Sequence, residues 1–295
     1  MNESINIKDN RKIIIGTAQF GAAYGIKNKK IKIKKNEAFK ILKLSEKNNI
    51  FYLDTSDDYK GYKNILPKCN LEKWKISLKL SNKIIQKFNT EKKFLNFFDK
   101  NLKKLKKKKI NYLFFHDAKI LFTKDGKNIY QLLRKLKKKG LVKKIGFSAY
   151  TVDEIKKVIM KYKIDVIQFP FNVFDQRLKQ KKILEKLKSL KVEIHARSIF
   201  LQGLLLLREK NIPKKFKNYN KNFSRWFEFI KKNKSHPLKE CINFAFNNKF
   251  IDKYVIGVDS ASNLEDIINF KVKKSKKNFD YLKTNEDNLI DPRKW

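Results

Sequence analysis

Short apolar runs alternate with amphipathic helical segments along most of this chain, and that alternation limits the folds open to it. Parallel strands joined by right-handed helical crossovers follow from such an order, and strands that are apolar on both sides are buried on both faces. Eight strand–helix units in 295 residues predict a single (β/α)8 TIM barrel. The predicted strands are Lys12–Ile15, Ile50–Leu53, Lys75–Leu78, Tyr112–Phe115, Val142–Phe147, Asp165–Phe169, Val192–Ala196 and Tyr254–Ile256.

An open doubly wound sheet is the alternative parallel fold. It would need a GxGxxG loop after the first strand, and the sequence there, GTAQFGAAYG, lacks that spacing. We therefore predict one domain over residues 1–295, with a barrel core over about 12–270 and a C-terminal helix or tail over 271–295. An irregular stretch over about 199–224 is predicted to form a lid or substrate loop.

Capping signals mark three helix starts. They are Asn36 before a helix over about 37–49, the Thr151 and Glu154 pair, and the Ser262 and Glu265 pair.

The formal net charge of +43 suggests nucleic-acid binding as one function. Lys and Arg total 72, but only seven are Arg, whose planar guanidinium can bind phosphate and guanine through bidentate hydrogen bonds. The lysines are spread over almost every predicted helix, as an AT-rich coding sequence would produce. We therefore predict no specific nucleic-acid partner, and expect the charge to attract anionic substrates and cofactors at low salt.

No stretch approaches the roughly 20 apolar residues that a membrane-spanning helix needs, and the first residues lack the apolar region of a secretion signal. Cys69 and Cys241 have no partner at metal-ligand spacing, so both are predicted to be reduced and buried, and no metal site is predicted. These features predict a cytoplasmic protein.

Three polar side chains directly follow predicted strands: Asp54, Lys79 and His116. Tyr59 lies in the loop after the second strand. The carboxyl ends of barrel strands gather on one face, where active sites form, so these four side chains are predicted to meet. Several of the scarce glycines fall at the same ends, which favours tight turns or close approach of a ligand there.

These four residue types can form a proton-donating unit. Tyrosine has an ordinary pKa of about 10, and a nearby ammonium such as Lys79 is expected to lower the pKa of Tyr59. Asp54 can balance the lysine, and His116 can donate a hydrogen bond to a carbonyl oxygen. Taken singly, each residue has an ordinary structural explanation, and His195 and His236 are weaker candidates.

The chain resembles the aldo-keto reductase family over about residues 12–270, in particular bacterial members with an RSIFLQG motif. An Asp-x4-Tyr spacing followed by a strand-end Lys and a strand-end His matches the family's tetrad. The matching segments are GTAQFGAAYGI (16–26), DTSDDY (54–59), SLKL (77–80), FFHD (114–117), IGFSAY (145–150), VIQFPFN (166–172), RSIFLQGLL (197–205) and VIGVDSASNLED (255–266).

The resemblance implies an oxidoreductase that uses NADP or NAD to reduce a small-molecule aldehyde or ketone. Tyr59 would be the general acid, Asp54 and Lys79 would tune it, and His116 would orient the carbonyl. The implied cofactor contacts include Thr17, and Ser148 and Gln168 at the nicotinamide carboxamide. Arg197 falls where many members have an aromatic residue on the nicotinamide ring. Ser198 would contact the pyrophosphate, and Gly257 and Asp259 would lie near the adenosine.

Three departures from the family pattern are visible. Lys60 separates Tyr59 from Gly61, and Ala149 replaces an Asn found in many members. Basic residues that often bind the NADP 2′-phosphate are replaced at about Val258 and Leu264, so the sequence leaves the cofactor open between NADP and NAD. The alternative functions are a nicotinamide-binding regulatory barrel with little turnover and a lysine-rich nucleic-acid binder. No oligomeric state is predicted.

Overall fold

The computed structural model describes residues 4–5, 12–26, 32–270, 272–273 and 277–295. Within them, eight parallel strands close into a barrel in chain order, with the first strand paired to the last. This architecture confirms the predicted (β/α)8 TIM barrel. The strands are β1 (Ile13–Gly16), β2 (Tyr52–Ser56), β3 (Lys75–Leu80), β4 (Ile110–Phe115), β5 (Val142–Ser148), β6 (Val166–Pro170), β7 (Glu193–Arg197) and β8 (Lys253–Gly257).

Helices surround the barrel. The described ones are α1 (Lys35–Lys47), α2 (Lys60–Asn64), α3 (Asn82–Ile85), α4 (Glu91–Leu105), α5 (Lys124–Lys138), α6 (Val152–Lys161), α7 (Lys181–Ser189), α8 (Asn220–Lys232), α9 (Pro237–Phe246), α10 (Ala261–Ile268) and α11 (Asp287–Ile290). Two further short strands, Ser4–Ile5 and Val272–Lys273, form a separate antiparallel pair. No helix of the described segments combines the length and apolar character needed to cross a membrane.

Two barrel strands run two or more residues beyond their predicted ends, and this places the polar residues differently. β2 continues to Ser56 and β3 to Leu80, so Asp54 and Lys79 lie within strands and only His116 follows one. The apolar run in the sequence stops at Asp54, but a strand can continue where its buried polar side chains bond to one another.

Helix starts follow the capping predictions in part. The Thr151 and Glu154 capping box at α6 is confirmed. The prediction for α1 is wrong: Lys34 occupies the N-cap position without a side-chain bond, and Asn36 lies inside the helix.

The start of α10 also differs from the prediction. Ser260, two residues before the predicted Ser262, accepts a hydrogen bond from the backbone N–H of Asn263. Leu264 and Ile267 then face the core, which sets the position of the loop between β8 and α10.

The segment after β7 is more ordered than predicted. It contains short 3-10 segments over Leu201–Leu206, Glu209–Asn211 and Lys214–Tyr219 before α8 begins, and a kink at Gln202 and Gly203 interrupts the first of them. Ser198, Leu201 and Gln202 adopt left-handed φ angles of 57°, 47° and 52°, which cost energy for residues other than glycine. Such strain in three neighbouring residues marks this loop as a candidate functional segment.

Residues 277–295 pack against the barrel. Leu282, Leu289 and Ile290 are buried, and the backbone N–H of Thr284 donates to the carbonyl oxygen of Phe174. Positions 271 and 274–276 of the predicted C-terminal helix or tail lie outside the described residues. Cys69 and Cys241 are buried free thiols, as predicted.

Candidate active site

A cavity opens at the carboxyl ends of the barrel strands and brings the four predicted catalytic residues together. Asp54 lies on β2, Lys79 on β3, His116 directly after β4, and Tyr59 between β2 and α2; all four line this cavity. The predicted spatial meeting of a phenol, an ammonium, a carboxylate and an imidazole is therefore present.

Asp54 and Lys79 form a buried ion pair at the cavity floor. The residues are 2% and 3% exposed, and the Lys79 ammonium donates to Asp54 Oδ2. The other carboxylate oxygen accepts from the Ser77 hydroxyl at 3.1 Å and from the Gln168 amide at 2.7 Å. Because several donors converge on one carboxylate, the pair is held in place and its net charge is close to zero.

Tyr59 is positioned by the turn into α2. It precedes the helix at the N-cap position, and its backbone N–H donates to the Ser56 carbonyl oxygen at 3.1 Å. Gly61 packs directly on Phe20, where an added Cβ would lie 2.4 Å from the Phe20 Cβ. The extra Lys60 therefore belongs to the first turn of α2, and Gly61 is needed for close packing.

The ring of Tyr59 lies between the lysine and the histidine of the site. Lys79 Nζ is 5.8 Å from the ring centroid, and the His116 ring centroid is 6.0 Å away in an edge-to-face arrangement. Burial raises the pKa of Tyr59 above its ordinary value, and the charge of Asp54 raises it further, while Arg197 lowers it. The net lowering expected from Lys79 is not found, because burial and the negative charge of Asp54 raise the pKa instead, so the phenol holds its proton near neutral pH.

His116 is a neutral imidazole near pH 7. Burial lowers its pKa to about 4, and the neighbouring Lys79 ammonium contributes in the same direction. Its Nδ1 lies 3.3 Å from the Ser56 hydroxyl. When that hydroxyl donates to Nδ1, the ring hydrogen is on Nε2 and is available to a carbonyl oxygen.

The lowered pKa of His116 predicts a pH-dependent stability. The unfolded chain binds this proton near pH 6.5 and the folded chain only near pH 4, so the unfolding free energy falls as pH decreases through this window. We expect His116→Gln to remove about 1.5 kcal/mol of the loss between pH 6.5 and 5. Denaturant unfolding of both proteins at several pH values measures this, and identical pH slopes would contradict it.

Two buried polar atoms beside the cavity have no hydrogen-bond partner among the described residues. They are Ser148 Oγ on β5 and Gln168 Oε1 on β6, residues that pair directly in the sheet register. Ser148 lines the cavity, and the Gln168 amide is anchored on Asp54. A hydroxyl and a carbonyl oxygen side by side match the acceptor and donor of a primary carboxamide. Both predicted nicotinamide contacts therefore fit such a group.

Ser198, Gly257 and Asp259 also line the cavity. Gln19 donates to the Asp259 carboxylate, and a Cβ at Gly257 would lie 2.7 Å from Gln19 Oε1, so a larger residue there would displace the Gln19 side chain. Thr17 is placed differently from these predicted cofactor contacts. It is fully buried behind the wall, and its hydroxyl donates to the Asp54 carbonyl oxygen at 2.9 Å.

Sequence reasoning did not identify several residues of the site. Tyr24 and Tyr150 line the cavity and lie inside the quoted motifs GTAQFGAAYGI and IGFSAY, which were the available signal. Ser56 and Ser77 support His116 and Asp54 from within the strands.

The two other histidines have structural environments. His195 is completely buried and bonds to Glu193 at 2.7 Å, and His236 caps α9 by accepting from the backbone N–H of Leu238. Across the described segments, no group of three or more His, Cys, Asp or Glu residues is arranged to hold a metal ion.

Comparison with solved structures supports the fold. A putative aldo-keto reductase from Pseudomonas aeruginosa is 17% identical, with a TM-score of 0.60 and coverage of 87% of this chain and 88% of that chain. The glycerol dehydrogenase AKR11B4 from Gluconobacter oxydans is 17% identical, with a TM-score of 0.66 and coverage of 95% and 92%. The aldo-keto reductase AKR11C1 from Bacillus halodurans, in its holo form, is 17% identical, with a TM-score of 0.69 and coverage of 87% and 85%.

No curated protein matches the sequence. The sequence profile of the Aldo/keto reductase family matches residues 12–286, most of the chain and all eight barrel strands. The chain belongs to the aldo/keto reductase family.

Proposed function

We propose that this protein reduces the carbonyl group of a small aldehyde or ketone with NADH or NADPH, and that Tyr59 is the general acid. The observation that carries the proposal is the convergence of Tyr59, His116 and the buried Asp54–Lys79 pair on one cavity. This arrangement supplies a proton donor and a hydrogen-bond donor for the same carbonyl oxygen.

The cavity fits a nicotinamide cofactor. We propose that Ser148 and Gln168 hold its carboxamide, because their free polar atoms match that group. Ser198, Gly257 and Asp259 would contact the rest of the cofactor, and Arg197 would lie near the nicotinamide ring. Thr17 would contribute indirectly, because its hydroxyl donates to the Asp54 carbonyl oxygen and so helps to position β2. When bound, the reduced cofactor supplies a hydride to the carbonyl carbon.

The residues of the chain have separable roles in this proposal. His116 donates a hydrogen bond to the carbonyl oxygen and orients it beside the Tyr59 hydroxyl. Tyr59 transfers its proton to that oxygen as negative charge develops there. The Lys79 ammonium then stabilises the phenolate, and Asp54 keeps the ammonium charged in its buried position.

Two measurements test the proposed function together. Titration of NADH and NADPH fluorescence with the pure protein measures cofactor binding, and absorbance at the reduced-cofactor band measures oxidation with a panel of small aldehydes and ketones. Binding followed by carbonyl-dependent oxidation supports the reductase. Binding without turnover across the panel supports the regulatory alternative, and no binding of either cofactor contradicts both.

The residues near the end of β8 predict a preference for NADH. Among the described residues that line the cavity, the cationic ones are Arg197 and Lys79, and Lys79 is paired with Asp54. Val258 and Leu264, where family members often carry basic residues, are buried and apolar, and Asp259 is acidic. A 2′-phosphate at this place would therefore find no cation at those two positions and would lie near a carboxylate, so we expect NADPH to bind about tenfold more weakly than NADH.

Asp259→Asn tests this preference by fluorescence titration of both cofactors. We expect the NADPH-to-NADH ratio of Kd values to fall several-fold in the variant. Asp266→Asn, which removes an exposed carboxylate from α10, is the matched control and should leave the ratio unchanged. Equal binding of NADH and NADPH by the unmodified protein would refute the prediction.

A further inference from the structure

Arg197 is a charged residue of the catalytic cavity whose charge no carboxylate balances. Its guanidinium donates to the Ala149 carbonyl oxygen at 3.2 Å and to the Ser198 hydroxyl at 3.5 Å. Within the described part of the chain, no Asp or Glu lies within ion-pairing distance of it. A guanidinium has five N–H donors, so these two bonds leave three for another acceptor.

The Arg197 side chain is held in a defined place by the cavity wall and the C-terminal segment. Its Cζ lies 4.1 Å from the centroid of the Tyr150 ring, and the Arg293 Cζ lies 3.4 Å from the same centroid. Arg293 is in turn fixed by both carboxylate oxygens of Asp291. Because the guanidinium is already ordered, binding an anion to it costs little conformational entropy.

The use of arginine here is informative in a chain with so much lysine. Lys and Arg total 72, and seven of these residues are Arg. Lysine thus supplies most of the positive charge of this chain. Arginine at 197 indicates a need for a planar group that stacks on Tyr150 and can bind a carboxylate or phosphate through two parallel hydrogen bonds.

The charges around Arg197 leave the catalytic end of the cavity positive. Lys79 is balanced by Asp54, and His116 is neutral near pH 7 because burial lowers its pKa to about 4. Asp58 is exposed beside Tyr59 and is screened by solvent, and Asp259 accepts a hydrogen bond from Gln19. Asp175, a buried carboxylate whose charge interacts with Arg197, is itself paired with Arg177 through two hydrogen bonds. Arg197 lowers the pKa of Tyr59, so its field reaches the reacting hydroxyl.

We propose that the carbonyl substrates of this protein carry a carboxylate or phosphate group and that Arg197 binds this group while Tyr59 and His116 hold the carbonyl. This inference rests on the proposed reductase function and adds a substrate class to it. Arg197 would then act as a specificity-determining residue. The flat face of its guanidinium can lie against the cofactor while N–H groups at its edge donate hydrogen bonds to the substrate anion.

Turnover of matched substrate pairs tests the proposal. We would compare 4-carboxybenzaldehyde with the neutral 4-carbamoylbenzaldehyde, and glyceraldehyde 3-phosphate with glyceraldehyde. We expect kcat/KM to favour the anionic member of at least one pair by about tenfold, and the favoured pair identifies carboxylate or phosphate. In Arg197→Gln the ratio of kcat/KM for the anionic member to kcat/KM for the neutral member should fall to a value between about 1 and 2. Loss of a cofactor contact lowers both members equally, so the ratio isolates recognition of the substrate charge.

Arg225→Gln is the charge-matched control, because this exposed arginine lies on α8, and it should keep the anionic preference. If neutral substrates are reduced but neither pair shows a preference, or if Arg197→Gln keeps the original ratio, the substrate inference is wrong and the reductase function stands. If no aldehyde is reduced, the reductase proposal fails instead.

A binding measurement keeps the substrate inference testable without turnover. Calorimetric titration with 4-carboxybenzyl alcohol and with 4-carbamoylbenzyl alcohol compares the two product forms, and titration with glycerol 3-phosphate and with glycerol does the same for phosphate. Tighter binding of an anionic form that Arg197→Gln abolishes supports the proposal. Equal binding within both pairs overturns it.

Discussion

Tyr59→Phe should reduce kcat/KM for carbonyl reduction by at least about 100-fold, the contribution typical of a positioned general acid. The substitution removes the hydroxyl and keeps the ring, which packs edge-to-face against His116 at a centroid distance of 6.0 Å. Cofactor affinity should stay within about twofold, because the proposed carboxamide contacts, Ser148 and Gln168, lie on other strands. Steady-state kinetics and fluorescence titration of the same preparation measure both effects.

Tyr24→Phe is the matched control for this experiment. Tyr24 lines the same cavity, but its hydroxyl accepts a hydrogen bond from the Gln202 amide at 3.2 Å and is not among the side-chain donors to Asp54. Turnover in this variant should stay within about threefold, a change of less than 1 kcal/mol in the barrier. A Tyr59→Phe enzyme that retains a third or more of the original turnover would show that another group supplies the proton.

The barrel could be predicted from the sequence because its signal is repeated eight times. Each strand is buried on both faces, so it appears as an apolar run, and an error of two residues at one end does not change the order of strands and helices. The same reasoning placed Asp54 and Lys79 after their strands and not within them. Periodicity cannot show that a polar residue continues a strand, because its partners, Ser77 and Gln168, come from elsewhere in the chain.

The contacts that shape the site depend on residues far apart in sequence. Nothing near Tyr150 in the sequence indicates that Arg293 lies over its ring, since that contact requires the last residues of the chain to return to the cavity. The pKa of Tyr59 shows the same limit. The proximity of Lys79 predicted a lowered pKa, but burial of the phenol and the charge of Asp54 raise it. Residue types and spacing thus identify the participants, and tertiary packing decides their charges.

The Asp54–Lys79 pair is expected to matter for stability as much as for activity. Lys79→Met leaves the Asp54 carboxylate buried with only the Ser77 hydroxyl and the Gln168 amide as its side-chain donors. Removal of one partner of a buried ion pair typically costs about 3–5 kcal/mol, so the unfolding free energy should fall by about that amount. Activity should be lost as well, because the developing phenolate of Tyr59 then lacks its cation.

The double variant Asp54→Asn, Lys79→Met separates the two effects. With both charges removed, the loss of unfolding free energy should be clearly smaller than the sum of the two single losses, whereas activity should stay absent in all three variants. Lys143→Met, at an exposed position of β5, is the control and should change the unfolding free energy by less than about 0.5 kcal/mol. Denaturant unfolding of the set measures the coupling.

The single variant Lys79→Met gives a direct check on the ion pair, because it leaves the buried Asp54 carboxylate without a countercharge. A Lys79→Met protein that unfolds within about 1 kcal/mol of the original at pH 7.5 would mean that water or the neutral donors solvate Asp54 adequately. Lysine would then serve the chemistry at Tyr59 alone, since its charge would no longer be needed to keep a buried carboxylate in the fold.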